Sequence, residues 1–476
     1  MASERRRRRR KEKKDSSKPK TKKAPRQHDE QLVSTAESTS TSMHDVPDHL
    51  LELILLRLRS SACLLRAAAA CKHWRRVIAG ADFLSRCLHA SSCVAGHYHD
   101  WVADYGSPPV TGSPVFVPSD SSLAVDRRRF SLDDDDDLLP ASDTGWVLTD
   151  SRGSLLLLSK RTTTGWRRDT GWRADIHSHS FPDVVVCEPL TRRRQGILRP
   201  EPEEHHATCL LGVFLLDGCH GHIGMSEFRL VAVLHEDHVS ENGRAMPVAC
   251  VFSLGSDGGG WRVLPNESTD SAAVSLPGVI ERTSFAGRAN GCLYWVVEEE
   301  DDGAAAMMVL DEAAMNFSRV PLNLGENEGD SHDGNHYDRW SFRVIGGGED
   351  DGVLRVVRLV RNELRVLARR EGTDEWVVEG HVRLREATLG MPGREERFFQ
   401  RDAMVVVAHE GYVVVTPQEK TWLFSVDLET MEVEREHERN RYAGPAFPSE
   451  LPWPPTFMAA CGSRRERGSR RRGSCP

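Results

Sequence analysis

Gly291-Cys-Leu-Tyr-Trp295 followed by Met308-Val-Leu-Asp311, and Gly411-Tyr-Val-Val-Val415 followed by Trp422-Leu-Phe-Ser-Val-Asp427, are two copies of one phrase. Each has a glycine, an apolar run, then a second apolar run. The glycines Gly291, Gly352 and Gly411 lie 61 and 59 residues apart. That length fits one four-stranded blade with generous loops, since propeller repeats run roughly 40–50 residues. Residues 97–460 hold about six such units.

The surrounding pattern agrees with this reading. Beyond His97 the hydrophobic period is two, in short β-branched or aromatic runs bounded by Gly, Pro, Asp and Asn. Strands are predicted at 155–158, 184–187, 210–216, 228–234, 249–254, 292–297, 307–310, 353–360, 364–367, 376–378, 404–408, 412–416 and 422–426. A large sandwich would give a similar pattern, but a closed ring leaves no long sheet edge to protect, and the propeller is preferred on that ground. Tyr294, Trp295, Trp376, Trp422 and Trp453 suit blade packing or a binding surface. Acidic or Gly-rich interruptions at 133–137, 298–302, 325–334 and 346–352 read as solvated loops.

The chain has 476 residues and a net charge of −8 that conceals an asymmetry. Residues 1–27 carry a net +11 and residues 464–476 a net +5, which leaves −24 for residues 28–463. Such a body repels phosphate backbones, so nucleic acid is expected to bind only through the basic arm, if at all. Residues 1–42 and 461–476 are read as disordered basic segments, and 5–14 as a block suited to nuclear import or RNA. No run reaches the roughly 18–20 apolar residues of a membrane span, and no secretory signal is visible. A protein of the nucleus, the cytoplasm or both is expected, with no membrane partner. Eleven cysteines without a CxxC pair fit reduced thiols, and sequons at Asn266 and Asn316 then lack access to glycosylation.

Residues 43–90 form a different region, read as three short helices. Pro47 suits an opening turn and Asp48 the positive helix end. Leu50, Leu51, Ile54, Leu55 and Leu58 make one wide apolar stripe. Ser60 and Ser61 are candidate caps for a second helix through Leu64, Leu65 and Ala67–Ala70. A third runs from about Cys71 through Trp74 and is stopped by Gly80. A unit this small cannot hide so many large apolar side chains alone; the surplus is covered by the β region or by a separate protein.

The order Val46-Pro-Asp-His-Leu-Leu-Glu-Leu-Ile-Leu-Leu-Arg-Leu58, Leu64-Leu65-Arg66-Ala67 and Cys71-Lys-His-Trp-Arg75 resembles an F-box motif. Further along stand Gly145-Trp146, Asp150-Ser-Arg-Gly153, Phe181-Pro-Asp-Val-Val-Val-Cys-Glu-Pro-Leu-Thr191, Leu216-Asp-Gly218, Gly224-Met-Ser226, Trp422-Leu-Phe-Ser-Val426, His437-Glu-Arg-Asn-Arg-Tyr442 and Glu450-Leu-Pro-Trp-Pro-Pro455. With these, most of residues 43–461 resembles the grass-type plant F-box proteins that carry a propeller-like associated domain. The resemblance implies a multidomain α plus all-β protein: a small three-helix F-box, then a large β-propeller-like domain of about six blades. It implies docking on a Skp-type adaptor and, through it, on a cullin with a RING subunit. The β domain would select an unknown protein client for ubiquitination. Val46, Pro47, Leu50, Leu51, Ile54, Leu55, Leu58, Leu65 and Trp74 fall at adaptor-facing or F-box core positions. Val46 stands where the motif has Leu, Arg59 where it has Pro and Ala70 where it has Val, so weakened docking is expected, and Leu51→Asp or Ile54→Asp is expected to abolish it.

No cofactor and no catalytic residue is expected, and transfer chemistry is left to partners. His205, His206, Cys209, Cys219, His220 and His222 are zinc-capable residue types without standard finger spacing. Gly224-Met-Ser-Glu-Phe228 lacks the closing glycine of a nucleophile elbow, and the glycines at 346–352 lack the Lys-Ser/Thr of a phosphate loop. The alternative reading is a nuclear interaction protein whose basic arm binds nucleic acid and whose F-box is degenerate. A hydrolase on a propeller is disfavoured by the missing motifs.

Overall fold

The computed structural model describes residues 46–57, 67–68, 70–80, 83, 94–99, 114–118, 127–132, 146–160, 181–199, 208–218, 223–236, 244–254, 260–264, 276–277, 282–298, 305–324, 337, 340–346, 352–370, 372–417, 422–435 and 446–450. The expected arm and tail, Leu58, Leu65, the caps Ser60 and Ser61, Trp453 and five of the six zinc-capable residues lie outside them. The chain divides after Pro47 into two units, and of the first only Val46 and Pro47 are described.

Helix α1 (Asp48–Leu56) opens on an acidic residue, as its positive end favours. Helix α2 (Lys72–Ile78) starts at Cys71, whose extended backbone brings Sγ to accept the Trp74 N–H at 3.3 Å. It ends with the Ala79 and Gly80 amides donating to the carbonyls of Arg75 and Val77. Between them, Ala67, Ala68 and Ala70 are helical, and Arg75 Nε donates to the Ala68 carbonyl at 3.0 Å.

The rest is mostly β. One sheet starts with β1 (Val94–His99) and β2 (Val115–Pro118). The next holds β3 (Trp146–Arg152), β4 (Leu155–Lys160), β5 (Val184–Glu188) and β6 (Arg193–Ile197) in sequence order. The third holds β7 (Thr208–Asp217), β8 (Phe228–Glu236), β9 (Arg244–Ser253) and β10 (Trp261–Leu264), with β11 (Leu276–Pro277) also on β9. A fourth unit has β12 (Thr283–Ala289), β13 (Cys292–Glu298), β14 (Ala305–Asp311) and β15 (Phe317–Pro321). The fifth has β16 (Phe342–Ile345), β17 (Arg355–Val360), β18 (Glu363–Arg369) and β19 (Trp376–Arg383), followed by the single turn α3 (Leu384–Ala387). The sixth has β20 (Met404–Ala408), β21 (Tyr412–Thr416), β22 (Phe424–Asp427) and β23 (Val433–Arg435). Finally β24 (Ala446–Glu450) returns to pair with β1, His97 opposite Pro448.

The first strands approach one another in turn: β24 and β3, β3 and β7, β7 and β12, β12 and β16, β16 and β20, β20 and β24. That cycle makes the fold propeller-like. A single parallel bridge between Gly287 and Val344 joins the fourth and fifth units. The ring opens with Val94, earlier than the expected boundary at His97.

Each gap between neighbouring units is filled by its own apolar cluster, because the strands bury both faces. Val184 and Val186 face the third unit with Leu155 and Leu157, while Val185 and Cys187 face the first with Leu156 and Leu158. Trp295 is fully buried between the third and fourth units, edge-on to Phe214 at 5.5 Å. Trp376 packs between the fourth and fifth units, so these aromatics are packing residues. The glycines of the repeated phrase recur at one place, the turn between the first and second strands: Gly291 before β13, Gly352 before β17 and Gly411 before β21. Gly153 does the same before β4.

Candidate docking surface and the charged network of the ring

On α1 the expected single stripe separates into two. Leu51 and Leu55 are buried, at 2% and 1% exposure, whereas Leu50 and Ile54 stand at 46% and 53%. Leu53, absent from the expected set, joins the exposed pair at 54%. The spacing explains the split. At about 100° per residue, positions 50, 53 and 54 share one arc of the helix, and 51 and 55 lie beyond its edge. A leucine at i+3 from Leu50 was the signal that could have found the outer face. Pro47 is exposed, and Val46 and Trp74 are half-buried.

The turn beside this face is pinned by a polar contact: His73 Nε2–H donates to Asp48 Oδ1 at 2.6 Å. That hydrogen bond holds the Asp48 carboxyl below its ordinary range. It links the first turn of α1 to α2.

A second cluster joins three units of the ring. Arg152, at the end of β3, donates to Asp217 at the end of β7 and to Glu312 after β14, both at 2.6 Å. Arg288 on β12 reaches Asp150 at 3.2 Å and donates to the Leu215 carbonyl at 2.7 Å. Its Nε lies 2.8 Å from Glu312 Oε1, an ion pair without hydrogen-bond alignment. Burial pushes the Asp150 carboxyl up, and Arg288 and the Leu215 N–H, at 2.8 Å, oppose that. Each carboxylate here faces a guanidinium, so the arrangement braces the ring.

Among the described residues no group of His, Cys, Asp and Glu could hold a metal ion, and the cysteines Cys71, Cys187, Cys209, Cys250 and Cys292 are free thiols. No helix among them is long and apolar enough to cross a membrane.

No family model and no curated protein matches the chain. Solved structures that are similar include a nidogen/laminin complex, at 13% identity over 64% of this chain and 82% of that one, TM-score 0.31. A protein from Lactobacillus plantarum is 11% identical over 75% of this chain and 100% of that one, TM-score 0.33. An exo-β-1,3-galactanase from Clostridium thermocellum is 9% identical over 65% and 64%, TM-score 0.29. Likeness at this level carries nothing about function, and the ring is read from the approach of its own strands.

Proposed function

We propose that this chain is the substrate-recognition subunit of a Skp, cullin and F-box type ubiquitin ligase. The helical segment docks on the Skp-type adaptor, the β ring binds the protein client, and a RING subunit on the cullin supplies the transfer step. The chain is then an adaptor and not itself a catalyst, and it works in the nucleus, the cytoplasm or both. The observation that supports this most is the exposed triad Leu50, Leu53 and Ile54. Three large apolar side chains at i, i+3 and i+4 are the anchors an amphipathic helix offers to a groove. The resemblance of residues 46–75 to an F-box names the groove's owner.

The test is co-purification of the full chain with a Skp-type adaptor. Leu50→Asp and Ile54→Asp are expected to abolish capture while leaving the unfolding midpoint near wild type, and Leu198→Asp, at a site 86% exposed elsewhere, is expected to leave both unchanged. Leu51→Asp no longer serves, because Leu51 is buried and the substitution would disrupt the helix itself. Undiminished capture by both α1 variants refutes the reading. The net +11 of residues 1–27 favours the second reading, a nuclear nucleic-acid-binding protein with a degenerate F-box. It predicts salt-sensitive RNA or DNA binding, lost with those residues, and no adaptor capture.

A further inference from the structure

His97 and His99 both lie on one buried face of β1, and Tyr98, on the other, belongs to the core between the first and second units. Two imidazoles in a strand interior are an unusual filling, because each must stay neutral to remain there. Their neighbours come from the other side of the ring's closing seam. His97 Nε2 and Tyr412 Oη share a hydrogen bond of 2.8 Å. His409 stacks on the Tyr412 ring at 5.1 Å and 17°, and His97 and His99 meet edge-on at 6.4 Å. The rings form a continuous file from β1 across to the turn between β20 and β21.

The apolar cluster of this seam, Val406, Val407, Val414, Leu423 and Ala446, is the smallest of those between units, five residues against eleven or more elsewhere among the described residues. We infer that the file of His99, His97, Tyr412 and His409 is an acid-sensitive latch that holds the sixth unit and β24 against β1 at neutral pH and releases them on acidification.

The electrostatics give the sign. Burial, and then His409, pushes His97 down to about 4, and burial, and then His97, pushes His99 down to about 3. His409 is lowered by burial and partly restored by Glu450 on β24. Glu410, in the same turn, lies over Gly346. An imidazole released to water binds a proton near pH 6.5, so falling pH favours the open seam. Each of His97 and His99 shifts that equilibrium about 30-fold between about pH 7.5 and 5.

Peptide-resolved hydrogen exchange on the full chain, corrected for intrinsic rates, tests this at about pH 7.5 and 5. The expected result is that β1 and β24 lose protection at least about tenfold more than β8 and β13 do. Equal loss in all four strands, or none, overturns the inference. His97→Gln keeps a partner for Tyr412 but cannot titrate, and it is expected to reduce the acid-induced loss at the seam about 30-fold. A folded His97→Gln protein as acid-sensitive as wild type also overturns it. Should the variant fail to fold, the strand pattern in the wild-type protein decides.

Discussion

Glu312 is the residue on which the charged network turns, since Arg152 and Arg288 both reach it and its side chain is 9% exposed. Glu312→Gln keeps the shape and removes the charge between two guanidiniums. It is expected to cost about 2–4 kcal/mol in urea unfolding, and wild-type stability would show the network to be ornamental. Gly287 tests a steric constraint. Its φ of +145° is glycine territory, and a Cβ there would lie 2.6 Å from the Val344 carbonyl oxygen across the bridge between units. Gly287→Ala is expected to destabilise by more than about 2 kcal/mol, against about 1 kcal/mol for Gly291→Ala, where φ is positive but the space is open. Thermal unfolding of the two variants side by side checks that order. Neither device was legible in the sequence: Glu312 lies 160 residues from Arg152, and nothing local to Gly287 points to Val344.

At the scale of the element, α1 is apolar on two faces, and the two faces predict opposite behaviour. Leu51→Ala removes a fully buried side chain and is expected to cost about 2–4 kcal/mol. Leu53→Ala, on the outer face, is expected to leave stability within about 0.5 kcal/mol of wild type. Denaturant titration of both variants separates packing from display. The helix itself was readable from Pro47, Asp48 and the leucine spacing, but not which leucines face inward, because six large apolar residues in nine positions satisfy more than one stripe. Among the strands the pattern is similar. Runs buried on both faces, such as Val184–Glu188 and Tyr412–Thr416, announced themselves, and all thirteen expected runs lie within or overlap observed strands. Strands such as Arg193–Ile197 did not, since residues 193–196 face water and only Ile197 enters the core, beside the hydrogen bonds to β5.

For the whole molecule, the spacing of Gly291, Gly352 and Gly411 carried the repeat because each glycine sits in the same turn of successive units. An expectation of about six units came from that spacing. How the ring shuts did not, since β24 has no marked strand signal and pairs with a segment at the far end of the chain. The seam histidines, too, read as isolated residues until the sixth unit is set beside the first: His97 and Tyr412 are 315 residues apart in sequence.

That separation has a consequence for biosynthesis. A ribosome makes β1 early and β24 after every other strand of the ring, so the nascent protein carries an unpaired border on β1 throughout most of its translation. Contacts so distant form slowly, and a strand left waiting for its neighbour is open to pairing with another nascent chain. Holding chaperones that shield the growing polypeptide, and synonymous codon changes that pause elongation before Ala446, would therefore govern how much of this protein reaches its closed form.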